Sequence, residues 1–349
     1  MTKTSTALGC PIRTNIRLKM NRKLFTLLLI LVVFIGSDLF SAPKDLQWKS
    51  NVVLPRGNRK AAKTAILIIA PTKLGSSLLE QRWKLGKKVW EQYMHSHPNI
   101  DCYFLERAPT QKNAIDAVWV EKDTIYVSCE RYGQQHGDYL LHKTIKAVEF
   151  LLPNYTHFIR TNLNTFIDLS KVNDYMETHH DSMYTTPLWE NSWYTIGYSI
   201  FFTADVAAHM VNEYNRLYEL NEKLLYPNEA DDAILTSLAT GIWPYSQEHP
   251  FRCCPSLPIG VRQLMSQDSL RAKHGRFTKY GLLLTPLESV DQAIAFSKKA
   301  SPTTMLYRQR DGLGIQDLAK LYEHLLAKHY PEFSQIDLQE YVRSLEKVR

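Results

Sequence analysis

Ala65 to Ala70 is an unbroken apolar run, Ala-Ile-Leu-Ile-Ile-Ala, closed by Pro71. Six residues without a polar break suit a strand covered on both faces. Ser77-Leu78-Leu79-Glu80 has the spacing of a capping box. The helix it opens places Leu79, Trp83, Gly86, Trp90 and Met94 near one side, at close to helical period. His97-Pro98-Asn99 stops that helix, and strands are predicted over Ile100–Leu105 and Thr124–Ser128. A second helix runs from Tyr139 to Leu152, and a fourth strand from His157 to Thr161. Strand, helix, strand, strand, helix, strand predicts an α/β domain with a mainly parallel sheet flanked by helices.

Beyond Asn164 the pattern changes. Asp174 to Trp193 is polar and aromatic, with Met183, Tyr184, Trp189 and Trp193, and Tyr194 follows directly. Ile200–Phe202 reads as a short strand, and Thr203 as the cap of a long helix to about Leu225. Helical spacing resumes after Asp231-Asp232, at Ile234, Leu235 and Leu238, and stops at Gly241. From about Val290 the tail reads as amphipathic helix, with Asp317–His329 packing on the rim. No internal repeat or low-complexity block interrupts the chain.

Composition alters this picture at the N-terminus. The chain has 349 residues, 44% hydrophobic and 22% charged, with a net charge of +7. Residues 1–63 carry 12 Lys/Arg against 2 Asp, which leaves 30 basic and 33 acidic residues in the remainder. The positive charge therefore belongs to the N-terminal region, and a nucleic-acid-binding surface on the folded part is not expected. Leu24 to Ile35 is apolar apart from Thr26 and follows Arg13, Arg17, Lys19, Arg22 and Lys23. That asymmetry keeps the N-terminus cytosolic and sends the remainder across the membrane. The stretch is short for a span, and extension to Ala42 lengthens it but includes Asp38. An uncleaved type II signal anchor is the preferred reading over a cleaved signal peptide, since Phe40 spoils the small-residue pattern before Ala42. Initiation at Met20 would favour cleavage. The organisation expected is a basic tail (1–23), a signal segment (24–42), a solvated stem (43–63), a catalytic domain (64–290) and a helical extension (291–349). A single-pass membrane location follows, in Golgi or endoplasmic reticulum for a eukaryote, or inner membrane or export for a bacterium. Of five cysteines, Cys10 would be cytosolic, and Cys102, Cys129, Cys253 and Cys254 could pair in three ways. Asn154-Tyr155-Thr156 is a lone glycosylation sequon.

The segment most suggestive of chemistry is His157 to Leu169. An apolar strand start runs into Arg160-Thr161-Asn162-Leu163-Asn164 and then into Phe166 and Ile167. Open α/β sheets expose their ligand sites where strands end. Two Asn at i and i+2 on a strand point to the same side, where they can hold a ribose, a diphosphate or a metal shell. This segment resembles the Lys/Arg-x-Asp-Asp-Asp-x-Phe strand of the β-1,3-galactosyltransferase and Fringe-type glycosyltransferases. Leu140-Leu141-His142-Lys143-Thr144 is similar to that family's Leu-x-x-Lys-Thr helix. Ile196-Gly197-Tyr198-Ser199-Ile200-Phe201-Phe202-Thr203-Ala204-Asp205 is similar to its Gly-containing strand leading to Ser-x-Asp. Glu229-Ala230-Asp231-Asp232-Ala233-Ile234 is similar to its Glu-Asp-Val. The four motifs stand in the family's order across roughly residues 64 to 260.

The resemblance implies a GT-A-like fold and an inverting, hexosyltransferase-type glycosyltransferase, with a nucleotide-sugar donor and a glycan or glycoconjugate acceptor. Asp232 takes the place of the general base, supported by Asp231, at a helix start that favours a carboxylate. Arg160, Asn162, Asn164 and Lys143 fall on donor-binding positions, and Trp189, Trp193, Tyr194 and Gly197 on the acceptor wall. Asn164 and His249 are the candidate ligands for Mn²⁺ or Mg²⁺. Asn162 and Asn164 replace the outer two of the family's three Asp. An amide oxygen can ligate a hard cation but brings no charge. The alternatives are a weak, substrate-assisted metal site, a metal-independent enzyme in which Arg160 or Lys143 neutralises the phosphates, or a domain that has lost catalysis. His179-His180-Asp181 lacks the i, i+4 spacing of a helical zinc pair and reads as a solvated loop. A non-catalytic GT-A relative binding nucleotide or glycan is the second reading, and an unrelated exported α/β binding protein the third.

Overall fold

The computed structural model describes residues 63–70, 77–108, 117–128, 136–178, 183–185, 199–219, 231–240, 281–284, 289–309 and 313–347. The signal segment, the stem, and the predicted helix beyond residue 219 lie outside them. So do Cys10, Cys129, Cys253 and Cys254. Among the described residues no helix is long and apolar enough to cross a membrane.

The first half follows the predicted order. β1 (Thr64–Ile69) leads to α1 (Ser77–Tyr93), β2 (Ile100–Arg107), β3 (Val118–Glu121), β4 (Thr124–Val127), α2 (His136–Leu151) and β5 (His157–Asn162). Then come β6 (Thr165–Ile167), α3 (Leu169–Thr178), β7 (Tyr184–Thr185), β8 (Ser199–Thr203), α4 (Ala204–Glu219) and α5 (Asp231–Thr240). β9 (Gly281–Leu284), α6 (Val290–Lys298), β10 (Leu306–Gln309), α7 (Ile315–His329) and α8 (Leu338–Lys347) complete the described elements.

The main sheet has the order β3-β4-β2-β1-β5-β8-β7. β4, β2, β1 and β5 are mutually parallel, while β3, β8 and β7 pair antiparallel to their neighbours. All six residues of β1 are buried, as its continuous apolar run requires. Alternate side chains feed two cores. Ile66, Ile68, Cys102, Phe104, Ile159 and Phe201 face α1, α3 and α7. Ala65, Leu67, Ile69, Leu105, Phe158 and Phe202 face α2, α4 and α5. A second sheet, β6-β10-β9, continues from β5 through the Leu163–Asn164 turn.

Several sequence expectations are corrected. On α1, Gly86, Trp90 and Met94 are buried and Trp83 packs against the core, joined by Leu85, Val89 and Tyr93, whereas Leu79 is exposed, because the core begins more than a turn into the helix. β3 was not visible in the sequence: it forms a hairpin whose two-residue turn, Lys122-Asp123, lacks glycine although Lys122 has φ 54°. α3 was not predicted, and its second half falls in the segment from Asp174 described as polar and aromatic; β10 lies in a tail read as helix. α7 does not pack on the rim: Leu318, Ala319, Leu321, Tyr322, Leu325 and Leu326 are buried in the same core as β1. Its C-terminal end is tied to the segment after β6. Tyr330 Oη donates to the Ile167 carbonyl at 2.9 Å and accepts from the Leu169 amide at 2.6 Å. Asp168 accepts from the Lys171 amide at 3.2 Å, at the start of α3, and its other oxygen meets His329 Nδ1 at 2.9 Å. Cys102 is a free, buried thiol.

Candidate functional site

The sheet has a topological switch beside its central strand. From β1 the chain steps outward to β2 and β4, then returns to place β5 on the opposite side of β1. The chain leaving the carboxyl end of β1 crosses through α1 to β2 on one side, whereas the chain leaving β5 turns into β6 and reaches the antiparallel β8 on the other. The gap they open is where α/β sheets of this kind bind ligands. Ile69 is the register partner of Asn162, so the amide that ends β5 stands at this gap, half-buried. Asn164 does not continue the strand. It sits half-buried in the turn to β6, and strand alternation therefore does not place the two amides on one side.

Phe158, Arg160 and Asn162 alternate onto the face covered by α2, α4 and α5. Arg160 is buried, and its Nη2 donates to Asp231 Oδ2. This contact joins positions 71 residues apart. It brings the N-terminus of α5, and with it Asp231 and the buried Asp232, to the carboxyl end of β5. Thr236 Oγ1 donates to the Asp232 carbonyl at 2.9 Å, and Ile234, Leu235 and Leu238 bury the helix against α2 and α4. Asp231 is thus more than a local helix cap: its carboxylate is shared between the positive end of a helix and a buried guanidinium.

Lys143 arrives on the same side from α2. It is fully buried, and its Nζ donates to the Leu105 carbonyl at 2.9 Å and the Ala70 carbonyl at 3.5 Å, where β2 and β1 end. On the opposite flank of β5, Thr161 and Ser199 hydroxyls meet at 2.8 Å and hold β8 in place. Arg160, Asn162, Asn164, Lys143, Asp231 and Asp232 therefore gather at one end of the sheet. Trp189, Trp193, Tyr194, Gly197 and His249 lie outside the described residues.

Two arginines not singled out in the sequence lie on elements that adjoin the Leu163–Asn164 turn. Arg308 of β10 is the register partner of Thr165 and is buried, with Nη1 3.4 Å from Thr165 Oγ1. Arg82 lies on α1, one turn before Gly86, and its Nη2 donates to the Leu313 carbonyl just ahead of α7. A Cβ on Gly86 would stand 2.8 Å from the Leu163 carbonyl, so α1 and the turn are in direct contact. The Tyr322 hydroxyl is pushed up to about 12 by burial, while the charges of Arg308 and Arg82 pull it the other way. Nothing in the sequence marked Arg308, which stands between Leu306-Tyr307 and Gln309-Arg310; strand pairing with β6 gives it its place.

The donor set fits a hard divalent cation poorly. Asn162 and Asn164 offer neutral amides, and the Asp231 carboxylate is held by Arg160. Among the described residues no group of three or more His, Cys, Asp or Glu is placed to hold a metal ion.

No family model matches the chain. No curated protein matches it either. Three solved structures that align with it are glycosyltransferases by description. GlyE from Streptococcus pneumoniae TIGR4 aligns with a TM-score of 0.36 and 11% identity, over 82% of this chain and 64% of that one. The apo form of GlyE aligns at 0.35 and 10% over the same shares. A glycosyltransferase involved in glycosylation of the major capsid of PBCV-1 aligns at 0.35 and 13%, over 75% of this chain and 98% of that one. The chain thus spans 64% of the GlyE structure, and likeness at these scores stops short of an activity.

Proposed function

We propose that this chain is an inverting glycosyltransferase of GT-A type, moving a hexose from a nucleotide-sugar donor to a hydroxyl of a glycan or glycoconjugate. The observation that carries this reading is the Arg160–Asp231 ion pair, which joins the strand ending in Asn162 to the helix opening with the tandem aspartates. A nucleotide diphosphate lies at the switch point, over the ends of β1 and β5. Asn162 and Asn164 hydrogen-bond the ribose or phosphates. Asp232 takes the proton from the acceptor hydroxyl as its oxygen attacks the anomeric carbon from the face opposite the leaving diphosphate. Arg160 and Asp231 orient α5 so that this carboxylate is presented in line. Lys143 fixes the strand ends that floor the crevice. Trp189, Trp193 and Tyr194 supply aromatic faces for acceptor sugar rings, and residues 24–42 anchor the chain as a type II membrane protein.

The test is to incubate the full chain with a panel of nucleotide sugars and glycan acceptors, and to follow nucleotide release. Turnover with at least one donor is expected, reduced about 10²- to 10⁴-fold in Asp232→Asn. Turnover that survives this substitution would remove Asp232 from the chemistry. Replacement of charged strand-end residues by Asn162 and Asn164 favours a second reading, a non-catalytic relative that binds nucleotide or glycan. Nucleotide binding with no donor turned over decides for it.

A further inference from the structure

We infer that the surface formed by Lys171, Lys298, Lys299, His324 and Lys328 binds a polyanionic glycan. Its charge stands apart from the transfer reaction, and only the choice of a glycan among polyanions rests on the acceptor reading above. Three elements assemble the surface. Lys298 closes α6 and Lys299 caps it, Lys328 lies in the last turn of α7, and all three are exposed. His324, one turn earlier on α7, and Lys171, in the first turn of α3, are half-buried. Lys328 Nζ donates to the Ser297 carbonyl at 2.7 Å, which brings the ends of α6 and α7 together. Lys171 Nζ donates to the Thr304 carbonyl at 3.1 Å. Carbonyls hold these ammonium groups in place without carrying a formal charge, and the two helix C-termini offset about half a charge each.

The carboxylates nearby are directed elsewhere. Asp168 reaches Lys328 but is buried and shared with His329 and Lys171. Asp291 and Asp317 stand in the first turns of α6 and α7, at the opposite ends of those helices, and Asp317 faces Lys320. Glu323 accepts from the Leu338 and Gln339 amides at the start of α8. The crowding of like charges shows in their titration. Burial and then the Lys171 charge hold the Lys328 ammonium below the usual lysine range, and burial, Lys298, Lys328 and His329 lower His324. A ligand with several negative groups relieves this repulsion.

The occupant is a hydrated polymer rather than a bilayer. The large apolar side chains exposed among the described residues, Leu78, Leu79, Val120 and Phe150, lie on α1, β3 and α2, so this surface has none of them to enter a lipid interface. Beyond residue 63 the chain carries 30 basic and 33 acidic residues, so the cluster is a local excess on a weakly acidic body, unlike the broad basic face that nucleic acids need. Only the three residues of β6, about 10 Å of strand, separate Asn164 from Asp168, so one acceptor polymer can touch both the crevice and this surface.

Lysine acetylation of the full chain, mapped by mass spectrometry in the presence of dextran sulfate, polygalacturonate or neutral dextran, tests the inference. Labelling of Lys298 and Lys299 should fall about 5-fold with at least one polyanion and stay the same with neutral dextran, while Lys122 in the β3–β4 turn is unaffected. Affinity should drop about 10-fold between roughly 50 and 200 mM salt. The double variant Lys298→Glu, Lys299→Glu should weaken binding about 10-fold, whereas Arg59→Glu, Lys60→Glu, an equal change of net charge in the N-terminal region, should weaken it about 2-fold or less. Equal losses in the two variants, or no protection by either polyanion, overturn the inference. Stronger protection by phosphatidylglycerol vesicles or by single-stranded DNA overturns it in favour of a lipid or nucleic-acid partner. Nucleotide-sugar turnover without polyanion protection leaves the transferase reading standing alone. Protection with no donor turned over leaves the surface and removes the transferase reading.

Discussion

Asp168 shows how a single carboxylate can join distant parts of this chain. Burial by itself would push its carboxyl up. The hydrogen bond and charge of His329, with the Lys171 amide and ammonium, overcome that and hold it below the usual carboxylate range. A carboxylate stabilised in the folded state contributes above its unfolded pKa, about 3.9, and the contribution fades as pH falls through the folded value. Urea unfolding of the unaltered chain and Asp168→Asn should therefore differ most above about pH 4 and converge in stronger acid. A difference that stays constant across that range would assign Asp168 a packing role only. The same dependence on distant partners limited what the sequence could tell about the site. Asp231-Asp232 and Asn162 stood out because short polar runs interrupt apolar segments there. The partners of Arg160, Arg308 and Asp168 lie 71, 143 and 161 residues away, respectively, and no local pattern announces contacts of that separation.

At the scale of elements, the parallel core was legible because it depends on local signals. Ala65–Ala70 has the length and apolar run of a two-sided strand, and His97-Pro98-Asn99 marks the stop after α1. β3, α3 and β10 were not, for distinct physical reasons. The β3–β4 turn uses Lys122 where a hairpin normally shows glycine, and β10 is four residues long and stable only through pairing with β6 and β9. α3 is short and mostly polar, and is fixed in place by Asp168 at its start and Tyr330 from α7. The closeness of α1 to the β5–β6 turn also gives a test at this scale. Gly86→Ala must displace a backbone carbonyl, and it should cost about 1–3 kcal/mol in chemical denaturation. It should also weaken nucleotide binding, because the displaced turn carries Asn164. Unchanged stability and affinity would mean that the contact between helix and turn is slack.

At the scale of the molecule, the tail changes the expected organisation. Residues 290–347 contribute Val290, Leu306, Tyr307, Leu326, Leu338 and Val342 to the core that also contains Ile66 and Ile68. The core beneath the crevice is accordingly built from both halves of the chain.

β1 lies between parallel neighbours, with all six residues covered and a separate core above and below. Its amides have no route to deuterium except through loss of the whole structure. Native-state exchange should show Ile66, Leu67 and Ile68 among the last protons to leave, at rates matching global opening. The amides of Leu163 and Asn164, in the turn a few ångströms from the end of that strand, should exchange well before them. The crevice would then have one unyielding wall and one that can adjust to what it holds.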